Sequence, residues 1–194
     1  VLPVGTKSDT FRSTAQAGTD GTPSAFSFAA RSPVALGVEI RSAPIFVAGI
    51  DAPATTWGSD TVALRADYAL ADFSASPEAM SFLIHEWAHT VQYRWLGPGR
   101  VAGDQVARLT KGSDVYAYRR ADLQANDFRN LNVEAQANVI GDTYRLQNHL
   151  APLGAVNGLI PNAQQLTRYA SPFYQFLRNP PPPVSFPNIP YHNH

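Results

Sequence analysis

Ser76-Pro77-Glu78-Ala79-Met80-Ser81-Phe82-Leu83-Ile84-His85-Glu86-Trp87-Ala88-His89-Thr90-Val91-Gln92-Tyr93-Arg94-Trp95-Leu96 decides how the rest of the chain is read. Ser76 is a good N-cap, Pro77 suits the first helical position, and Glu78 puts an acid in the first turn. No Pro or Gly interrupts residues 79–96, and Gly97-Pro98-Gly99 then reads as a stop. Phe82, Leu83, Ile84, Trp87, Ala88, Val91 and Trp95 make this helix apolar on most sides, which predicts a core position.

Inside it, His85-Glu86-Trp87-Ala88-His89 spells H-E-x-x-H. A helix turns once in about 3.6 residues, so side chains at i and i+4 leave the same face and both imidazoles can reach one metal ion. Glu86 is then within reach of a water bound to that ion, as in zinc sites built on a helix. Burying two His and a Glu without partners costs several kcal/mol. A cation is one such partner; hydrogen bonding within the core is the plainer alternative.

A catalytic zinc usually takes three protein ligands and a water. The chain has no Cys, so the third ligand is expected among His, Asp and Glu. Glu134, in Asn132-Val133-Glu134-Ala135-Gln136-Ala137-Asn138, is the first choice. It opens an expected second helix from Asn132 to about His149, capped by Asn130 or Asn132. Ala135 and Ala137 allow close packing on the first helix, and Gly141 weakens the expectation for its far half. Asn138, four residues on, is expected on the same face, where it could hydrogen-bond a ligand imidazole. Asp114 is a competitor. His149 lies about four turns beyond Glu134, and His192 and His194 sit in a Pro-rich tail.

The run from Phe82 to Gln92 resembles the zinc helix of small bacterial metallopeptidases known as Vgr-related proteins. That group shows H-E-x-x-H-x-x-Q, then Tyr-x-Tyr, then Glu-x-Gln-Ala. Gln92, Tyr116-Ala117-Tyr118 and Glu134-Ala135-Gln136-Ala137 occupy those places in order, over roughly residues 43–148. Asn138 departs from the group, which often has an acid there. The resemblance implies a gluzincin-like site with His85, His89 and Glu134 as ligands of Zn2+ and Glu86 as general base.

In that reading a zinc-polarised carbonyl is attacked by water whose proton Glu86 takes and hands to the leaving amine. The hydroxyl of Tyr116 or Tyr118 could steady the oxyanion. The substrate would be a peptide or protein. A non-catalytic zinc-binding structural or loading module of a bacterial secretion or injection apparatus is the alternative, against which the intact Glu86 argues. A peptidase held inactive by its own arm or tail is a third reading.

The expected fold is a single α+β, zincin-like domain over residues 33–178, with a short sheet packed on the zinc helix and a second helix carrying Glu134. Strands are expected at Val34–Ile40, Ile45–Val47 and Thr61–Leu64. Thr61–Leu64, nearest the zinc helix in sequence, is the candidate edge that would hold an extended substrate, with an ordinary interior strand as the alternative. Residues 98–130 form a long connection expected to be functional or to carry short structure of its own. Residues 1–32, rich in Gly, Ser, Thr and Ala, read as a flexible arm, and residues 179–194, with Pro180-Pro181-Pro182-Pro183, as a tail of polyproline II character.

Fifteen basic and fifteen acidic residues in 194 cancel, which gives no case for nucleic acid or an anionic membrane. The longest apolar stretch is too short for membrane insertion. Lack of Cys leaves the compartment open. The start at Val1 reads as a mature form without its leader or as a trimmed chain. Only Lys7 and Lys111 are Lys, and Ala is abundant, a bias that fits a GC-rich bacterial genome.

Overall fold

The computed structural model describes residues 38–42, 54–65, 67, 68, 70 and 72–179. The arm at residues 1–32, the expected strand Ile45–Val47 and the tail beyond residue 179 lie outside them.

Three short strands form one sheet: β1 (Glu39–Ser42), β2 (Ala54–Trp57) and β3 (Thr61–Leu64). β3 is central, parallel to β1 and antiparallel to β2, with Glu39 opposite Thr61 and Ala54 opposite Leu64. The strand expected at Thr61–Leu64 has those bounds, and it takes the interior alternative instead of the substrate-holding edge. Its backbone is paired on both sides, so it cannot add a substrate strand. β1 includes Glu39 and Ile40 of the strand expected at Val34–Ile40, whose residues 34–37 lie outside the described residues, and β2 has no counterpart among the expected strands. Val62 and Leu64 are fully buried, and Thr56 of β2 reaches the metal helix.

The helices follow as α1 (Pro77–Trp95), α2 (Pro98–Lys111), α3 (Arg120–Ala125), α4 (Val133–Gln147), α5 (Ala163–Tyr169) and α6 (Ser171–Arg178), giving an α+β fold. α1 begins as its sequence dictates: the Ser76 hydroxyl accepts from the Ala79 N–H at 3.3 Å, and Pro77 occupies the first turn. Asn132 caps α4 through Oδ1, which accepts from the Ala135 N–H at 3.0 Å. α4 runs through Gly141 without a break. A Cβ at Gly141 would stand 3.2 Å from the Ser81 carbonyl oxygen and 3.7 Å from His85 Cβ. The glycine is where α1 and α4 approach closely, beside the first His of the motif.

Residues 98–130 prove largely helical. Gly97 takes a left-handed φ of 84°, and Pro98 then starts α2 instead of merely ending α1. Asp104 of α2 accepts from Arg100 at 3.0 Å and from the Val133 N–H at 3.1 Å, tying α2 to the first turn of α4. The core continues beyond α4 into an aromatic cluster. Phe173 of α6 meets Trp87, Trp95 and Phe128 edge-on, and Trp95 stacks on Phe128. No helix among the described residues is long and apolar enough to cross a membrane.

Candidate metal centre

The i,i+4 spacing of α1 and the first turn of α4 bring His85, His89 and Glu134 together, with all three ligand atoms within 4.8 Å of one another. Glu134 Oε2 lies 3.3 Å from His85 Nε2 and 3.2 Å from His89 Nε2. The imidazoles stand edge to face, centroids 5.0 Å apart. His89 and Glu134 are buried. No other group of three His, Asp or Glu residues with this geometry occurs among the described residues. Asp114 and His149 are exposed and outside the cluster; His192 and His194 lie beyond the described residues.

Charge explains why the group stays together. Burial opposes ionisation of Glu134, yet the charge on His89 and hydrogen bonds from His85 and His89 hold its carboxyl well below the usual range. Burial likewise lowers the His89 pKa, but the charge and hydrogen bond of Glu134, with smaller help from Glu86 and Gln92, raise it to about 9. Without a metal, His89 therefore carries a proton at neutral pH that a metal ion would replace.

The tautomer of His89 is set by a buried amide chain. Gln92 Nε2 donates to the Val133 carbonyl at 2.8 Å and to Gln136 Oε1 at 3.1 Å, which turns Gln92 Oε1 towards His89 Nδ1 at 2.7 Å. An acceptor there requires a proton on Nδ1 and leaves the Nε2 lone pair for a metal. Gln136 Nε2 in turn donates to the Leu131 carbonyl at 2.8 Å. Two imidazole nitrogens and one carboxylate oxygen, with the tautomer fixed in this way, are a donor set that fits zinc.

Asn138 does not serve an imidazole. Its side chain donates to the Tyr116 carbonyl at 2.8 Å, so the expected role belongs to Gln92. The i,i+3 step from His89 to Gln92 is the signal for this pairing in the sequence.

Glu86 is buried beside the cluster, and Thr56 Oγ1 of β2 donates to its backbone oxygen at 3.1 Å and approaches its Oε2 at 3.3 Å. Glu86, His85, Tyr116, Phe82, Arg108 and Arg145 are among the residues lining a cavity of about 400 Å³. The Tyr116 ring lies 6.1 Å from that of His85, and burial, then the charge of Glu134, push its pKa upwards, so it stays a neutral phenol. Tyr118 is a correction. Its ring is fully buried and its hydroxyl donates to Asp142 Oδ2 at 2.9 Å, so that hydroxyl is not offered to the cavity.

Arg108 was missed because the helix that carries it was missed. One turn after Asp104 on α2, it places Nη1 3.6 Å from Glu134 Oε1 and its guanidinium carbon 5.5 Å from the centroid of the Tyr116 ring. Comparison of the chain with protein-family models, curated proteins and solved structures gives no match.

Proposed function

We propose that this chain is a zinc-dependent peptidase of zincin-like architecture, with His85, His89 and Glu134 as metal ligands and Glu86 as general base. The observation that carries this reading is the convergence of His85 Nε2, His89 Nε2 and Glu134 Oε2 within 4.8 Å at the edge of a cavity that Glu86 also lines. Zinc held there would supply Lewis acidity towards the scissile carbonyl and a water acidic enough to lose a proton near neutrality. Glu86, beside Thr56 Oγ1, would accept the proton of the attacking water and deliver it to the leaving amine. The Tyr116 hydroxyl, kept protonated, is the phenolic donor for the developing oxyanion. The order of motifs from Gln92 through Tyr116 to Glu134 supports kinship with the Vgr-related metallopeptidases.

The test is zinc stoichiometry combined with peptide-library cleavage by the zinc-loaded wild type and its Glu86→Gln variant. The reading expects one zinc per chain, cleavage by the wild type, and a loss of at least about a hundredfold in Glu86→Gln. Zinc binding with no cleavage above the Glu86→Gln background would overturn it and favour a non-catalytic loading or structural module.

A further inference from the structure

The cavity beside the metal cluster contains two arginines in different circumstances. Arg145, on α4, is held by the Ala151 carbonyl at 2.7 Å, by Ser81 Oγ at 3.3 Å and by Asp142 at 3.9 Å. Arg108 faces Glu134 Oε1 at 3.6 Å and the Tyr116 ring at 5.5 Å. Among the described residues no hydrogen bond from its guanidinium is found, and its side chain keeps 30% exposure. Of the two, Arg108 is the one without a hydrogen bond among the described residues.

Its position follows from the fold. The contacts of Asp104 with the Val133 N–H and of Arg100 with Asp104 fix α2 against the start of α4, and Arg108 comes one turn later on the same face. The cation–π contact with Tyr116 and the ion pair with Glu134 restrain the guanidinium, which reduces the side-chain freedom lost on binding. A divalent cation and Arg108 would place positive charge beside Glu86 and Glu134, the part of the cleft nearest the metal ligands. A partly exposed guanidinium in such a place matches a carboxylate in bidentate fashion.

We infer that Arg108 is a specificity-determining residue that selects peptides carrying a carboxylate next to the bond to be cut. This inference rests on the peptidase reading above. Arg108 reaches one oxygen of Glu134 while the other oxygen of that carboxylate faces both imidazoles, so an anion held by Arg108 would lie beside the metal ligands. A free C-terminus and an Asp or Glu side chain supply the same group.

The test uses N-acetylated hexapeptide libraries made with free C-termini and as C-terminal amides, each with Glu or Gln at the central positions. Binding to the zinc-loaded Glu86→Gln protein is measured by calorimetry, and cleavage by the zinc-loaded wild type by mass spectrometry. A carboxylate-bearing set should bind about tenfold to a hundredfold more tightly than its neutral counterpart. Preference for free acids over amides identifies the C-terminus as the source, and preference for Glu over Gln identifies the side chain. The ratio should collapse in Glu86→Gln/Arg108→Gln and recover in part in Glu86→Gln/Arg108→Lys, with zinc stoichiometry measured in each.

Equal binding of charged and neutral sets, or no binding of either, overturns the inference. So does an Arg108→Gln protein that holds zinc and keeps the ratio. Preferential binding without wild-type cleavage would sink the peptidase reading and leave the carboxylate preference standing. Cleavage without preference would do the reverse.

Discussion

Two carboxylates are buried on α4, about two helical turns apart, and their surroundings could hardly differ more. Asp142 accepts from the Leu153 N–H at 2.7 Å, the Gly154 N–H at 2.8 Å and the Tyr118 hydroxyl at 2.9 Å. Every oxygen is satisfied by the protein, and the group fastens residues 153–154 and 118 to the helix. Burial raises its pKa, and these hydrogen bonds work in the opposite direction. Among the described residues no backbone donor reaches the Glu134 carboxylate; two imidazoles and Arg108 face it. One carboxylate is complete as a fastener, and the other is surrounded by groups that a metal ion would organise. Burial alone does not distinguish a ligand from a staple, whereas the kind of partner does.

The sharpest way to break this comparison is to truncate each carboxylate in turn. Glu134→Ala should lower zinc affinity by more than a hundredfold, because it leaves two protein ligands where three stood, as competition with a chromophoric chelator would measure. Asp142→Ala should instead destabilise the fold by about 2–4 kcal/mol in urea unfolding, since two backbone donors and a phenol lose their acceptor, while the protein still binds one zinc. If both variants lost zinc and stability equally, the distinction between staple and ligand would be wrong.

Gln92→Leu removes the acceptor that fixes His89 and should weaken zinc binding about tenfold to a hundredfold; Gln92→Glu, which keeps an acceptor, should do less harm. Unchanged affinity in Gln92→Leu would show that His89 needs no such partner.

The smallest effect is in pH. The His89 pKa in the metal-free fold is about 9, above its ordinary 6.5. A raised pKa contributes stability that is fully present below about pH 6.5 and is lost as pH rises through about 9. Metal-free protein should therefore lose Tm between pH 7 and pH 9, and saturating zinc should flatten that slope because the ion replaces the proton. A metal-free Tm rising over this range would contradict the His89–Glu134 pairing.

Legibility in the sequence tracked how local each determinant was. α1 and α4 were readable because their caps, Ser76 and Asn132, lie next to the residues they cap. His85 and His89 followed from helical spacing alone, and Glu134 from residue type and a helix start. The rest depends on contacts distant in the chain. Pro98 looked like the end of one helix and is the start of another, a distinction set by Gly97. Losing α2 meant losing Arg108. β2 has four residues, Ala54-Thr55-Thr56-Trp57, too few to show alternation, and its identity comes from pairing with β3. Tyr116 and Tyr118 look equivalent in sequence, and only the buried Asp142 separates them.

Diffraction from zinc-soaked crystals at the zinc absorption edge tests the central claim most directly. The account predicts one anomalous peak between His85 Nε2, His89 Nε2 and a Glu134 carboxylate oxygen, absent from crystals of Glu134→Ala. No peak there, or a zinc ion bound only at exposed groups such as His149, would contradict it.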